Sequence, residues 1–282
     1  MQKVGIIILN WNGKTHLETY LPSVVSNSGE AEIVVVDNCS TDDSVMFLQT
    51  KYPELQLVHN NQNGGFAKGY NDGLEQIKGQ FEYYILLNSD VEVTPNWISP
   101  IIELMESDKS ISACQPKVLA YKQKNKFEHA GAAGGYLDKN GYPFCRGRVF
   151  DDVEEDTNQY DTVEEIFWAT GACMFVRSST FHEMGGFDED YFAHMEEIDL
   201  CWRMKLHGQR IMANPNSVVY HLGGGTLNYM SPRKVYLNFR NSLFTLYKNY
   251  RGNYLFFMII WRMILDYLAA AVFILNGEFK AA

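Results

Sequence analysis

Ile33-Val34-Val35-Val36-Asp37-Asn38-Cys39-Ser40-Thr41-Asp42-Asp43-Ser44 is the stretch that decides the fold. An apolar run rich in β-branched residues ends on a carboxylate and passes through small polar residues into a helical pattern, which is a strand-to-helix turn. Working outward, similar runs occur at Val4 to Trp11, Leu55 to His59 and Tyr83 to Asn88, with candidate helices at Lys14 to Ser28, Thr41 to Lys51 and Phe66 to Lys78 between them. Strands alternating with helices of these lengths imply a parallel sheet with right-handed crossovers, so the first part of the chain is α/β. Ligands bind beyond the carboxyl ends of such strands, where Asn10, Trp11, Asn12, Asp37, Asn38 and Asn88 to Asp90 fall.

A helix from Trp97 to Ser107 and a strand from Ile111 to Ala120 are expected next, followed by a Gly- and Lys-rich stretch. Asp151 to Glu165 carries eight acidic and no basic residues. It reads as a solvated loop, or else as a flap that closes over substrate and keeps water out. Order returns with Ile166 to Arg177, a short helix near Ser178, a stop at Gly185-Gly186, and a helix from Glu196 to His207 closed by Gly208. A last strand is expected from Arg210 to Tyr220, and helix beyond Ser231.

At 282 residues, 46% hydrophobic and 21% charged, the chain can bury a core without staples. Cys39, Cys114, Cys145, Cys173 and Cys201 form no CxxC pair and are odd in number, so a disulfide framework or zinc ribbon is not indicated and a reducing cytosol is expected. The N-terminal apolar run is short and reads as a strand, not a leader. The net charge of −10 speaks against a nucleic-acid partner. That charge is uneven: Arg233 to Ala282 holds seven Lys/Arg against two Asp/Glu, and residues 1–232 hold 17 against 32. A body at 1–232 and a basic, apolar helical tail at 233–282 are therefore expected. Leu255 to Leu275 is apolar apart from Arg262 and Asp266, and each charge at the centre of a span costs about 2.5–3.5 kcal/mol. An interfacial helix with basic and aromatic neighbours that suit an anionic leaflet is expected in preference to a span. The same apolar face would also serve packing on the body or a homodimer.

The usual nucleotide signatures are missing: no GxGxxG follows the first strand, and no GxxxxGK[ST] occurs. The strand ends supply amides and carboxylates instead, at Asp37-Asn38 and at Asn88-Ser89-Asp90. A carboxylate there can accept from a base N–H, or hold a hard cation beside a diphosphate. Asp42 reads as a helix cap. In His194-Met195-Glu196-Glu197-Ile198-Asp199-Leu200-Cys201-Trp202-Arg203, helical spacing puts Glu196 and Asp199 on one face and pairs Asp199 with Arg203, leaving Glu197 freer. Glu196 is expected to join the helix's charge network. His221 ends an apolar strand before Gly223-Gly224-Gly225-Thr226.

The ordered set IIILNWN, VVVDNCSTDDS, NNQNGGFAKGYNDGL, YYILLNSDVEV, ATGACMFVRSSTF, GGFDEDYFAHMEEIDLCWRMKLHG and YHLGGGT resembles the family 2 glycosyltransferases, particularly their bacterial rhamnosyltransferase-like branch. The resemblance implies a GT-A fold, with a nucleotide-binding parallel-sheet half merged with a mixed-sheet acceptor half, here followed by C-terminal amphipathic helices. It implies inverting transfer from a nucleotide-diphosphate sugar to a glycan or lipid-linked acceptor, in cell-surface polysaccharide synthesis at the cytoplasmic face of the cell membrane. Carried onto this chain, it puts Asp37 on the nucleobase and Asn10, Asn12, Asn71, Asn88 and Ser89 near the nucleotide. Asp90, as the last residue of a DxD whose first Asp is Asn88, and His221 would hold Mn²⁺ or Mg²⁺. Glu197 takes the place of the base, with Glu196, Asp199 and Trp168 around the acceptor. Two rivals remain at this stage. A nucleotidyltransferase should carry a Gly-rich basic loop where this chain has Asn10-Trp11-Asn12-Gly13-Lys14, and an idle sugar- or nucleotide-binding module would account for Asn88.

Overall fold

The structure is a computed structural model that describes residues 3–29, 31–129, 131–149, 152–223 and 231–275. Strands β1 (Val4–Asn10), β2 (Glu32–Asp37), β3 (Gln56–His59) and β4 (Tyr83–Asn88) alternate with helices α1 (Lys14–Asn27), α2 (Ser44–Lys51) and α3 (Gly65–Gln76). All four strands are parallel, in the order β3-β2-β1-β4. Their apolar runs are unbroken because both faces are covered. Ile7, Val34, Val36, Tyr84 and Leu86 face α3, while Ile6, Ile8, Val35, Ile85 and Leu87 face α1 and α2.

The second half turns the sheet mixed. After β5 (Val91–Val93) and α4 (Ser99–Ser107) come β6 (Ile111–Ala120) and β7 (Gln123–Phe127). Two ribbons follow, β8 (Gly135–Leu137) with β9 (Pro143–Cys145) and β10 (Arg148–Val149) with β11 (Asp152–Val153). Then come β12 (Glu164–Ile166), β13 (Cys173–Arg177), α5 (Ser178–Glu183), α6 (Glu196–Leu206) and β14 (Arg210–His221). Strand β13 runs antiparallel to both β4 and β6, and β14 runs parallel to β6 and antiparallel to β12 and β5. The sequence reading of Ile166 to Arg177 as one ordered run is thus split: Trp168 to Ala172 leave the sheet between β12 and β13.

The acidic segment is solvent-exposed over most of its described part, Asp152 to Glu165, as a solvated loop would be, but ion pairs tie it to the body. Lys117 of β6, its side chain only 5% exposed, holds Asp156 at 2.8 Å and also contacts Asp161. Arg146 pairs with Glu164, and Glu165 bridges Lys205 and Arg210 at 2.8 and 3.0 Å. A cation so far inside needs anionic partners, and the neutralising charges come from elements distant in sequence.

The chain ends in α7 (Pro232–Asn249) and α8 (Leu255–Leu275). Helix α7 is bound into the body. Lys248 Nζ and Asn249 Nδ2 reach Asp199 of α6 at 3.0 and 2.8 Å, and Tyr191 and Thr245 share a hydroxyl bond of 2.9 Å.

Candidate functional site

Parallel register brings the strand ends into one row: Asn10 stands beside Asp37, Leu9 beside Asn88, and Asp37 beside His59. Asn10 Nδ2 donates to Asp37 Oδ1 (3.3 Å) and Ser40 Oγ (3.1 Å), and the Ser40 N–H donates to Asp37 Oδ2 (3.1 Å). Asn12, at φ 50°, accepts the Thr41 and Asp42 N–H groups at 2.7 and 3.3 Å. Asn10, Asn12 and Asp37 therefore form one network that ties the first loop to the second. Asp37 is buried yet keeps acceptor capacity, since a carboxylate offers about four lone-pair sites. Beside it lies a polar cleft of ≈ 410 Å³ lined by residues including His59, Asn60 and Lys68. Asp42 is not the cap of α2, which is Asp43; it stands one residue earlier, where Oδ1 accepts the Ser44 N–H at 3.0 Å and Oδ2 accepts the Lys14 N–H at 3.1 Å.

A second cluster forms where β5 pairs with β14, which sets His221 opposite Val91. His221 Nε2 lies 3.2 Å from Asp90 Oδ1 and 3.4 Å from Asn88 Nδ2, with Nδ1 3.6 Å from Glu128. Burial opposes a charge on His221, but the carboxylates of Asp90 and Glu128 outweigh it and lift the pKa to about 10. Ser89 faces the first loop, its Oγ 3.7 Å from where a Cβ on Gly13 would stand. Residues 224–226 of the Gly-rich stretch after His221 lie outside the described residues.

The third cluster reaches the second through the chain between β12 and β13. The Asn88 N–H donates to the Ala172 carbonyl at 3.0 Å, and the neighbouring Gly171 lies against the Glu197 carboxylate, whose Cδ is 3.8 Å from where a Cβ on Gly171 would stand. Glu197 begins α6 with Glu196, and the Oε2 atoms of both are buried with no hydrogen-bond partner. Burial pushes Glu196 well above the usual carboxylate range. It lifts Glu197 to about 7, the rise being restrained by backbone N–H groups at the helix start and at Gly171. The backbone leading in is strained: Phe192, His194 and Met195 have φ of 62°, 71° and 75°. Phe192 centres a γ-turn of the rare hand, φ 62° and ψ −59°, closed by Ala193 N–H to Tyr191 O at 2.7 Å. Such residues cost about 1–3 kcal/mol each and persist where the surroundings over-determine them.

Three expected site residues make bonds within the body. Asn71 exchanges both amide bonds with the Phe187 backbone at 2.8 and 3.0 Å, tying α3 to the Gly186 turn. Trp168 lies in the core over Gly135, donating to Tyr136 O at 2.9 Å. Asp199 is bound by Arg203 at 2.9 Å as well as by Lys248 and Asn249, and Glu196 stays outside that charge network.

A family profile described as Glycosyl transferase family 2 matches residues 5–182. The chain belongs to that family. This glycosyltransferase is 24% identical over 232 residues to the N-acetylglucosaminyl-diphospho-decaprenol L-rhamnosyltransferase of Mycobacterium tuberculosis, covering 77% of this chain and 75% of the relative. It is 25% identical over 215 residues to the rhamnosyltransferase WbbL of Escherichia coli, covering 74% and 79%. Its fold is that of the mannosyltransferase PcManGT from Pyrobaculum calidifontis, solved with GDP-Man and Mn²⁺, at a TM-score of 0.62, 15% identity, and coverage of 99% and 77%. The fold is GT-A, and the rhamnosyltransferase-like branch is where its relatives lie.

Among the described residues, Asp90 and His221 of the glycosyltransferase are a donor pair of the kind a divalent cation takes. Asp90 Oδ1 and His221 Nε2 face each other at 3.2 Å as an ion pair, and the imidazole would have to give up its proton to serve as a ligand. One carboxylate and one imidazole form a mixed donor set that suits Mn²⁺ or Mg²⁺. No group of three or more His, Cys, Asp and Glu side chains poised for a metal occurs among the described residues, so a cation here would complete its shell from diphosphate oxygens and water.

Sequence reasoning missed that α7 packs on the loop leading into Glu196 and Glu197. Asn241, Thr245 and Asn249 recur every four residues on the helix's buried face. Polar side chains on the face that also carries Leu237 and Leu246 are the signal that was available.

Proposed function

We propose that this glycosyltransferase moves a sugar, with inversion, from a nucleoside-diphosphate donor to a hydroxyl of a glycan or lipid-linked acceptor, with Glu197 as the base. The observation that carries the reading is Glu197 itself: a largely buried carboxylate whose Oε2 has no partner and whose pKa lies near 7. A base near neutrality is matched to removing a proton from a sugar hydroxyl, and a positioned one is worth about 10²–10⁴-fold. The acceptor oxygen forms its bond to the anomeric carbon as the bond to the diphosphate breaks on the opposite side. Its proton passes to Glu197 Oε2, and one displacement inverts the centre. Asp37, Asn10 and Asn12 bind and orient the nucleoside. Asp90 and His221 would hold Mn²⁺ or Mg²⁺, which when bound neutralises charge on the departing diphosphate.

The lipid-linked acceptor is supported by the name of the mycobacterial relative and by α8, which we place on a membrane surface. Thermal-shift screening of UDP-, GDP- and dTDP-linked sugars with Mn²⁺ selects the donor. Calorimetry on Asp90→Ala with the matching nucleoside diphosphate and Mn²⁺ then tests the cation site. Metal-dependent affinity should fall at least tenfold, and unchanged affinity would move the cation away from Asp90.

A further inference from the structure

Asn241 of α7 is fully buried, and its amide nitrogen donates to three turn carbonyls: Tyr191 O at 3.0 Å, Ala193 O at 2.9 Å and His194 O at 2.7 Å. An NH₂ group has two hydrogens, so at least one of these bonds is shared. Arg240 orients the amide, donating Nε to Asn241 Oδ1 at 2.9 Å, and adds Nη2 to Asp190 O and Tyr191 O at 2.9 and 3.1 Å. The opposite side of the loop is held by α3, where the Phe66 and Ala67 N–H groups donate to Phe192 O at 2.7 and 3.3 Å. That approach requires Gly65, whose φ is +81° and where a Cβ would stand 2.6 Å from Phe192 O. The loop gripped from both sides is the strained one, Phe192 to Met195, and it runs directly into Glu196 and Glu197.

We infer that Asn241 is a positioning residue for the reaction: it holds the strained turn that aims the Glu197 carboxylate, and so makes α7 part of the catalytic framework. The inference rests on reading Glu197 as the base. A relaxed turn would rotate the first turn of α6, and the carboxylate would leave its place against Gly171, where Cδ stands 3.8 Å from the Gly171 Cβ position and Oε2 is without a partner. Donor binding, which draws on the strand-end loops of β1, β2 and β4, does not pass through this turn.

The test is a double-mutant cycle on the full chain, with turnover measured on whichever UDP-, GDP- or dTDP-sugar binds. Asn241→Asp keeps the volume but removes both donors, Asn241→Ser keeps one, and Arg240→Ala leaves Asn241 in place without its orienting bond. The Asp variant should lower kcat about 10–100-fold with donor KM unchanged, the Ser and Arg240 variants should lower it less, and all three effects should vanish when Glu197→Gln is already present. Amide exchange of residues 190–197 should rise in the Asp variant. Equal losses with and without Glu197→Gln, or a change in KM alone, would overturn the positioning role while leaving Glu197 as base. A fully active Glu197→Gln would overturn the base reading instead. If Asn241→Asp does not fold, Arg240→Ala, a change at a partly exposed side chain, carries the same cycle.

Discussion

Glu196 and Glu197 are adjacent, chemically identical and both raised in pKa, yet they differ in what they face. Backbone N–H groups at Gly171 and the helix start favour the ionised form of Glu197, whereas Glu196 is almost wholly buried near Glu197 and Asp199, and no cation among the described residues pairs with it. Glu197→Gln should keep donor affinity and lower kcat about 10²-fold or more, as when only the proton acceptor is lost. Because the base works deprotonated, wild-type turnover should fall as pH drops through about 7, well above the ordinary carboxylate range, and a midpoint near 4.5 would assign the limb to another group. Glu196→Gln should raise stability. The Glu196 carboxyl titrates higher in the folded chain than in the unfolded chain, so wild-type stability declines as pH rises from the unfolded value toward the folded one. The melting temperature should therefore gain more from Glu196→Gln at pH 8 than at pH 5, and an equal gain at both would mean that Glu196 finds a counter-charge. Helical spacing in the sequence separates Glu197 from the Asp199–Arg203 pair, but it cannot show what Asn71 and Trp168 bond to, since Phe187 and Tyr136, their partners, lie 116 and 32 residues away.

At the scale of elements, the parallel half is legible because each strand announces itself twice, by its apolar run and by the polar residue that ends it. Asn10, Asp37 and Asn88 fall on one rim for that reason alone. The mixed half is less legible. Its β-ribbons are two or three residues long, and its acidic segment is neutralised from β6, α6 and β14, so neither periodicity nor local charge reveals it. Helix α7 is the most consequential case. Read from composition it begins a tail, but Asp199, wholly buried, depends on Lys248 and Asn249 as well as on its helical partner Arg203. Breaking a buried pair by removing one partner costs about 3–5 kcal/mol, a large part of the stability of a typical domain. A chain stopped at residue 232 should thus be insoluble or should melt far below the full chain, while one stopped at Asn253 keeps α7 and should melt cooperatively. Equal melting of the two would return α7 to the role of an appendage.

For the whole molecule, the question is what α8 faces. Phe257, Trp261, Ile264, Leu268, Val272 and Leu275, spaced by three and four residues, form an exposed apolar stripe, with Leu275 at 85% exposure. The two charges that argue against a span are its attachment to the body. Arg262 is buried, stacks 3.5 Å from the centre of the Tyr142 ring and donates to Asn140 O and Ser242 Oγ at 2.9 and 2.8 Å. Asp266 accepts from the Tyr142 hydroxyl at 2.7 Å. To cross a bilayer, the helix would have to strip both charges from these partners, so it should lie flat with the stripe in the interface. Composition also suggests strong attraction to anionic lipid, at about 1 kcal/mol per basic residue near the surface. The structure reduces that term: Arg240 is engaged with the Asp190–Tyr191 backbone, Lys248 with Asp188 and Asp199, and Arg262 with the ribbon. Binding should therefore be mainly apolar and should survive salt. Flotation with mixed neutral and anionic vesicles should retain the full chain even in 1 M salt, where the Debye length is only about 3 Å, and should lose it for the chain ending at Asn253 or for Phe257→Ser/Trp261→Ser/Leu268→Ser. Release by salt would give the binding back to the basic residues. Retention after alkaline carbonate would mean that Arg262 and Asp266 leave the body and that α8 spans.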